Sequence, residues 1–568
     1  MILSINKSFS QPLIDEVKAA WELSENQPPV QLQLKHILDY FQEGNRLKFE
    51  NEYFGRRKEL LVCSLYAMEM RTPPALRKLE EIIYLVLQEH SWALPAHWPS
   101  PYGSWADRKY CIDLFAAETA QALAEISHEL KEFLSPMLLL WISQEIEERI
   151  FQPFENKKWD WEQKENNWSA VIAGSIGMAA LRQLGSGSRR QAILDRLDDS
   201  FQSFLRGYGQ DGVCVEGMGY WAYGFGYYIY YAALLESTTG ESKYFQSAKV
   251  NAIASFPYYA QISEGEYVPF GDYNHTALPS GLLSFLKERL QVPIPNVKTI
   301  SSLNEDSCYR FAPVMFNLMH SSPCTQEKTN RLVRYFENSQ WLVVRDQGQH
   351  WGFAARGGSN QESHNHNDLG HFVYGGCAEL QLTDFGAGEY TKDYFDEERR
   401  YTYFVNSGFS HSIPIINGHT QMAGNYQARV LGHQLNGNLI TFTLELSEAY
   451  PNNSGIISFK RKFELNLETA ELQVKDEMHF KNERNEILEN FVTGVRPVIV
   501  GSNSIQIEAK GKKVMLQMNE PLAIHTNHYQ DHYGNDKKAY QIQGEYTCGN
   551  KFEFSCQIIL INEEEVSK

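Results

Sequence analysis

The stretch ESHNHNDLGHF, residues 362–372, places His364, His366 and His371 within eight residues, with Asp368 among them. The whole chain of 568 residues has only 17 histidines, so this is a marked local concentration. Imidazoles crowded around a carboxylate point to metal ligation or proton transfer, the two tasks for which a histidine near its own pKa is suited. If HNHND is extended, residues two apart share a face. That predicts His364, His366 and Asp368 on one side and Asn365 and Asn367 on the other. Asp384 ends the segment ELQLTD, and His411 lies in NSGFSHSIPIING. A histidine of this stretch with Asp384 and His411 on adjacent strands can form a three-point nitrogen and oxygen site for zinc or a similar cation. The alternative is that these histidines cap loops or pair with carboxylates.

A second cluster is DGVCVEGMGYWAYGFGYYIYY, 211–231. Tyr220, Tyr223 and Tyr227 recur at helical spacing and so share a face, either as an aromatic core stripe or as part of a site. Gly212, Gly217 and Gly219 favour a tight entry into that helix. In NNW, 166–168, an Asn is placed to cap the following helix. Arg399 and Arg400 follow an acidic stretch. They form a solvated surface pair or, in a cleft, grip a carboxylate or sulfate through the planar guanidinium fork. HTNHYQDH, 525–532, has three histidines but sits in a polar stretch and is expected to be loop.

These residues need elements to hold them. VQLQLKHILDYF, IDLFAAETAQALAEISHEL, MLLLWISQEIEERIF, WSAVIAGSIGMAALRQL, RQAILDRLDDSFQSFL and YYIYYAALLEST carry apolar residues three and four apart and read as helices. From Trp341 onward the pattern alternates, in WLVVRD, HFVYGG, ELQLTDFG, NLITFTLEL, FKRKFELNL, ELQVKDEMHF, SIQIEAKGKKVMLQM and KFEFSCQIILI. Hairpin signals fall at NGN (436–438) and KGKK (510–513). Helices followed by strands predict an all-α domain, 1–320, and an antiparallel β-sandwich, 321–568, with linker between about 290 and 340.

The formal charge of −18 argues against nucleic acid or an anionic membrane as partner. The eight cysteines are scattered and suggest neither a disulfide framework nor a zinc ribbon. MILSINKSFSQPLIDEVKAAW lacks the pattern of a secretory signal, so a cytoplasmic protein is expected. The aromatic content of 13% would suit a sugar-binding cleft.

Several segments together resemble the heparinase II/III-like family of polysaccharide lyases. They are NNWSAVIAGSIGMAAL (166–181), DGVCVEGMGYWAYG (211–224), HNHNDLGHFVYG (364–375), LTDFGAGEY (382–390) and RRYTYFVNSGFSHSIPIINGHTQ (399–421), with WALPAHW (92–98) and IDLFAAETA (112–120). The resemblance implies an N-terminal incomplete α/α toroid followed by an antiparallel β-sandwich. It also implies β-elimination on uronate-containing glycans, most closely glycosaminoglycans of the heparin and heparan sulfate type, with alginate or another uronate oligosaccharide as the alternative. Asn167 would neutralise the uronate carboxylate, Tyr220 or Tyr223 would be the acid and for some epimers the base as well, and His364 would be the partner base or a further carboxylate neutraliser. His366, Asp384 and His411 would hold one structural divalent metal, zinc foremost, with calcium or manganese as alternatives. Trp168, Glu216, Trp221, Arg356, Arg399, Arg400, Tyr390, Tyr394 and Tyr401 are the candidate substrate contacts. Two other readings compete. A glycoside hydrolase would need two carboxylates flanking the bond, and here Asp211 and Glu216 are close in sequence but no convincing partner acid stands out. A sugar-binding protein would keep the fold without the chemistry.

Overall fold

The computed structural model describes residues 7–100, 102–263, 265–275, 277–325, 330–376, 379–396 and 398–561. By contact density the chain divides into two compact units. The first comprises Met1–Tyr208, Gly219–Ser255 and Thr276–Gln326. The second comprises Gly209–Met218, Phe256–His275 and Glu327–Lys568. The division is discontinuous, because two short segments from within the helical half belong to the second unit.

The first unit is helical, and its centre is the helix Asn167–Gln183, nearly every residue of which is buried. It packs against Leu114–Glu129, Ser188–Arg206 and Gly226–Thr239. Its sequence, NWSAVIAGSIGMAALRQ, allows this because small side chains let backbones approach closely. A Cβ on Gly174 would lie 2.8 Å from the Tyr227 carbonyl oxygen, so only glycine fits there. Asp113 begins the helix Leu114–Glu129 by accepting from the Ala116 amide at 2.7 Å. The same carboxylate accepts from the Leu94 amide and from His97 Nδ1, and so fixes WALPAHW against the helix start.

The second unit is built of antiparallel sheets. One has five strands in sequential order: Arg331–Phe336, Trp341–Asp346, Trp351–Arg356, Phe372–Gly376 and Glu379–Leu382. One has four: Leu522–Gln530, Asp536–Cys548, Asn485–Thr493 and Ile415–Ile416. The eight-stranded sheet runs Val498–Gly501, Ser504–Ala509, Lys512–Gln517, Lys551–Ile561, Leu472–Phe480, Ile456–Asn466, Leu439–Glu445 and Arg429–Asn436. One apolar core, including Phe353, Phe372, Phe442, Phe463 and Phe491, draws on all three sheets, the edge residues Leu382 and Ile416 among them. The strand Ile456–Asn466 alternates buried and exposed residues, as a sheet with one wet face must. Trp341–Asp346 and Trp351–Arg356 are buried throughout.

The helix-then-strand order and both hairpins agree with the sequence. Lys510 and Gly511 take left-handed φ values of 48° and 77° in the tight turn between Ala509 and Lys512. The expected linker is in part structured: the helix Phe311–His320 and the strand Arg331–Phe336 fall inside it, while 326–329 lie outside the described residues. HTNHYQDH is not loop, since Leu522–Gln530 pairs along its length with Asp536–Cys548. No disulfide joins the seven described cysteines. Among the described residues no helix is long and apolar enough to cross a membrane.

The sandwich core holds one costly group. Glu489 is fully buried, neither of its carboxylate oxygens has a hydrogen-bond partner, and Arg461 is 3.5 Å away but engaged in a bidentate pair with Asp476. Burial pushes the Glu489 carboxyl well above the usual range, and the nearby Asp476 charge adds to this. The folded state therefore binds a proton that the unfolded chain releases near pH 4.3. The stability from this group is present below that pH and declines as pH rises toward the folded pKa. Glu489→Gln is expected to flatten this decline and to raise unfolding free energy at neutral pH by about 1–3 kcal/mol. Denaturant titrations of both proteins between pH 5 and pH 8, spanning about three units above the unfolded carboxyl value, check it.

Candidate functional site

The residues singled out in the sequence fall into both units. In the helical unit, Asn166 and not Asn167 is the cap: its Oδ1 accepts from the Trp168 amide at 3.1 Å. Asn167 is then the first helical residue. It is 4% exposed, and its Oδ1 is buried with no protein partner. Trp168 is half-buried, with Lys164 Nζ 4.4 Å over its ring and His97 against it. Tyr220 ends the short turn Met218–Tyr220, which runs into a π-helical turn, Trp221–Phe225. Such turns recur at functional sites because the extra residue re-aims the side chains around it. This turn lies directly on Asn167: a Cβ on Gly224 would sit 3.1 Å from Asn167 Cβ.

Tyr223 differs from Tyr220. Its hydroxyl donates to Glu118 Oε1 at 2.6 Å, and the Arg310 guanidinium lies 4.0 Å over its ring. Burial, with the Glu118 charge, pushes the phenol well above its ordinary value. Burial also raises the Glu118 carboxyl, to about 7, against the opposing effect of Arg310. This is an internal polar network, and it occupies the Tyr223 hydroxyl. Trp221 is 0% exposed, with Nε1 donating to the Ile253 carbonyl. It is a core anchor, so the expectation that it contacts substrate is corrected.

In the sandwich unit, residues 357–371 fold around Arg356. This side chain is wholly buried, and its guanidinium donates to Glu362 Oε2 at 2.6 Å and to Asp368 Oδ2 at 3.2 Å. Arg356 is therefore structural and not an anion contact. The same pairing overturns the expected extended HNHND. Asp368 turns toward Arg356, His364 takes a left-handed φ of 56°, and Asn365 and Asn367 are buried and bonded instead of facing out.

His364 and His366 nevertheless meet on one group, a residue missed in the sequence. Asp272 is 0% exposed at its side chain. Its Oδ2 accepts from His364 Nδ1 at 2.7 Å and Tyr390 Oη at 3.3 Å. Its Oδ1 accepts from His366 Nε2 at 3.1 Å, Arg400 Nη2 at 3.0 Å and Tyr394 Oη at 2.6 Å. Burial alone would raise this carboxyl, but the Arg400 charge and the two histidine hydrogen bonds hold it well below the usual range. Its backbone is equally fixed: the Tyr273 carbonyl accepts from the Ala387 amide at 3.0 Å, and Arg345 donates to the Gln261 carbonyl of the preceding hairpin. No local signal marks it, since FGDYN is 92 residues from His364.

This arrangement reassigns several expected substrate contacts. Tyr394 is fully buried, Arg400 is committed to Asp272 and the Asn365 carbonyl, and Tyr401 donates to Asn365 Oδ1 at 2.7 Å. Arg399 is the surface residue of its pair, on Asp393. Tyr390 is half-buried, with His532 against its ring. Glu216 is 6% exposed, and its Oε2 lies 3.8 Å from His364 Nε2. Burial raises the Glu216 carboxyl. Asp211 accepts from the Asn338 and Ser339 amides, a turn-stabilising role.

His366, Asp384 and His411 are all buried, with one potential ligand atom each within 4.8 Å of the others. The second ring nitrogens decide the fit. His411 Nδ1 lies 2.9 Å from the Ser407 carbonyl, an acceptor, so it carries the hydrogen. His366 Nε2 donates to Asp272. In the neutral rings, His366 Nδ1 and His411 Nε2 then present lone pairs to each other across 3.2 Å, which demands a positive charge between them. Two imidazole ligands of a tetrahedral zinc stand about 3.3 Å apart. Asp384 Oδ2 is buried without a hydrogen-bond partner and 3.5 Å from His411 Nε2. Burial lowers the affinity of His411 for a proton, yet the Asp384 charge outweighs it, and the site favours positive charge. These residues fit a divalent cation. His371 is a neighbour and not a ligand: its Nδ1 accepts from the Ser412 amide, so Nε2 carries the hydrogen and faces Asp384 at 3.4 Å.

No family model matches the chain, and no curated protein matches it. Solved structures do. Heparinase III superposes with a TM-score of 0.63 at 12% identity, over 99% of this chain and 94% of its own. A heparan sulfate lyase from Pedobacter heparinus gives 0.62 at 11% identity, over 98% and 89%. A chondroitin AC lyase from Streptomyces coelicolor gives 0.51 at 9% identity, over 99% and 81%. The fold is thus that of an α/α toroid followed by an antiparallel β-sandwich, shared with these proteins over the full chain.

The purified protein is expected to carry one divalent ion per chain by elemental analysis. His411→Ala is expected to remove it and lower the thermal midpoint. Stoichiometric metal retained in His411→Ala would place the ion elsewhere.

Proposed function

We propose that the protein is a lyase that cleaves uronate-containing glycans by β-elimination, with glycosaminoglycans of the heparin and heparan sulfate type as first choice of substrate. The observation that carries the reading is Asn167. It is a buried amide at the N-terminus of the central helix, with the turn bearing Tyr220 packed on it, and it offers NH2 donors at the positive end of the helix. A helix start favours an anion, and an amide donates to a carboxylate without adding charge. The likeness of fold to enzymes named as heparan sulfate and chondroitin lyases supports the same reaction class.

In this reading the uronate carboxylate accepts from Asn167, which withdraws charge and makes the C5 proton more acidic. His364, with Nδ1–H held by Asp272, takes the C5 proton at Nε2. The Tyr220 hydroxyl gives its proton to O4 as the C4–O4 bond breaks, leaving a C4–C5 double bond on the uronate. For substrates of the opposite C5 configuration, Tyr220 also serves as base. The cation of His366, Asp384 and His411, for which we favour zinc, would be structural: it would order the loop carrying His364 and supply charge compensation there.

A panel of heparan sulfate, heparin, chondroitin sulfate, hyaluronan and alginate, as polymers and oligosaccharides, tests this by ultraviolet absorbance. The conjugated C4–C5 double bond absorbs, and hydrolysis gives none. A rise is expected with a heparan-type substrate, whereas a rise with alginate alone would move the substrate class. New reducing ends without absorbance would replace elimination by hydrolysis.

Tyr220→Phe is expected to lower kcat by about 10²–10⁴-fold with substrate binding retained, since only the proton donor is lost. Tyr223→Phe is expected instead to cost stability, about 1–3 kcal/mol, by removing one of the two donors to the buried Glu118 Oε1, the other being Arg310 Nε. Steady-state kinetics and denaturant titration of the two variants separate the roles.

A further inference from the structure

The buried carboxylate of Asp272 touches both histidines of the HNH pair. Its Oδ2 is 2.7 Å from His364 Nδ1 and its Oδ1 is 3.1 Å from His366 Nε2. An ionised carboxylate only accepts, so each of these ring nitrogens must carry a hydrogen. The two neutral histidines are therefore held in opposite tautomers. His364 is protonated on Nδ1, and its lone pair is on Nε2. His366 is protonated on Nε2, and its lone pair is on Nδ1, the atom that faces His411 Nε2 at 3.2 Å. Without this acceptor, a His366 ring could equally protonate on Nδ1 and turn a hydrogen toward the cation position.

We propose that Asp272 is a positioning residue that sets the cation site and His364 together, its two oxygens fixing the tautomer and ring plane of His366 on one side and of His364 on the other. The part concerning His364 rests on the lyase reading above; the part concerning His366 does not.

The remaining contacts fit this role. Tyr394 and Arg400 satisfy Oδ1, and Tyr390 satisfies Oδ2, so the carboxylate cannot rotate without breaking bonds on both sides. Asp272 is itself no ligand to the cation, because His366 presents to it the nitrogen opposite the one facing His411. It acts one shell out, where loss of an orienting acceptor typically costs 10–100-fold in metal affinity.

The Asp272→Ala variant, which removes both acceptor oxygens, tests this in the full-length protein. Zinc affinity, measured by competition with a chromophoric chelator, is expected to weaken by about 10–100-fold. With zinc restored to saturation, kcat is expected to remain reduced, because His364 has lost its acceptor as well, while KM changes little. Tyr394→Phe removes a different donor from the same carboxylate and serves as the comparison. It is expected to lower the thermal midpoint while leaving zinc affinity within about threefold of the unmodified protein, well inside the effect of losing an orienting acceptor.

Unchanged zinc affinity in Asp272→Ala overturns the proposal, as does equal weakening in both variants, which would mean general loosening. Full recovery of kcat at saturating zinc would overturn the His364 half alone. If the unmodified protein turns over no uronate glycan, the lyase reading fails while the affinity measurement still decides for His366. An unmodified protein that binds no zinc overturns the proposal outright. Should Asp272→Ala fail to fold, nitrogen-15 spectra of histidine-labelled unmodified protein read the tautomers directly, with signals assigned by their loss in His364→Gln and His366→Gln. The Nδ1–H form of His364 and the Nε2–H form of His366 are expected, and the reverse in either ring overturns it.

Discussion

A carboxylate that stays ionised with no exposure to water is tolerated only when donors replace the water, and Asp272 is the clearest such case in the sandwich unit. Five side chains from 364–366, 390–394 and 400 supply those donors. The requirement acts in reverse as well: because the carboxylate must be satisfied, these segments cannot drift. His364 and His366 are held by it, and so is the turn that carries Tyr390 and Tyr394. A second buried charge, Arg356, does the same for the loop in which the two histidines stand.

In the helical unit the corresponding constraint is close packing. Asn167–Gln183 is rich in small residues and lies against its neighbours at backbone distance, as Gly174 on the Tyr227 carbonyl demonstrates. That contact fixes the helix against Gly226–Thr239, and Gly224 brings the π-helical turn onto Asn167. Local packing thereby separates two tyrosines that share a helical face. Tyr223 is absorbed into the network of Glu118 and Arg310, whereas Tyr220 stands at the head of the turn.

Arginine is the residue type whose role changed most. Arg356 and Arg400 are both nearly or wholly buried and both engaged by carboxylates, leaving Arg399 at the surface on Asp393. Their fork geometry serves the interior, where an uncompensated carboxylate would be most costly. Buried arginines of this kind brace the site without reading a substrate anion.

How much of this was legible in the chain depended on whether the signal was local. Periodicity alone located the helices at 114–129 and 167–183 and the strands at 439–445 and 456–466, because burial of one face imposes a repeat on neighbouring residues. The donor set His366, Asp384 and His411 could be read because histidines are scarce and crowded here, Asp384 ends a recognisable strand pattern, and the family resemblance singles out these three. HNHND could not, since an alternating pattern predicts a strand only where a sheet is there to pair with. Arg356 instead pulls Asp368 inward, and His364 turns left-handed. Asp272 was invisible for a related reason: an aspartate between glycine and tyrosine has no spacing relation to histidines 92 residues away. The sequence by itself determined which kinds of group were available and which helices and strands would carry them. Tertiary structure decided which carboxylate meets which histidine or arginine, because that choice follows from burial and charge compensation, which exist only once distant segments exclude water together.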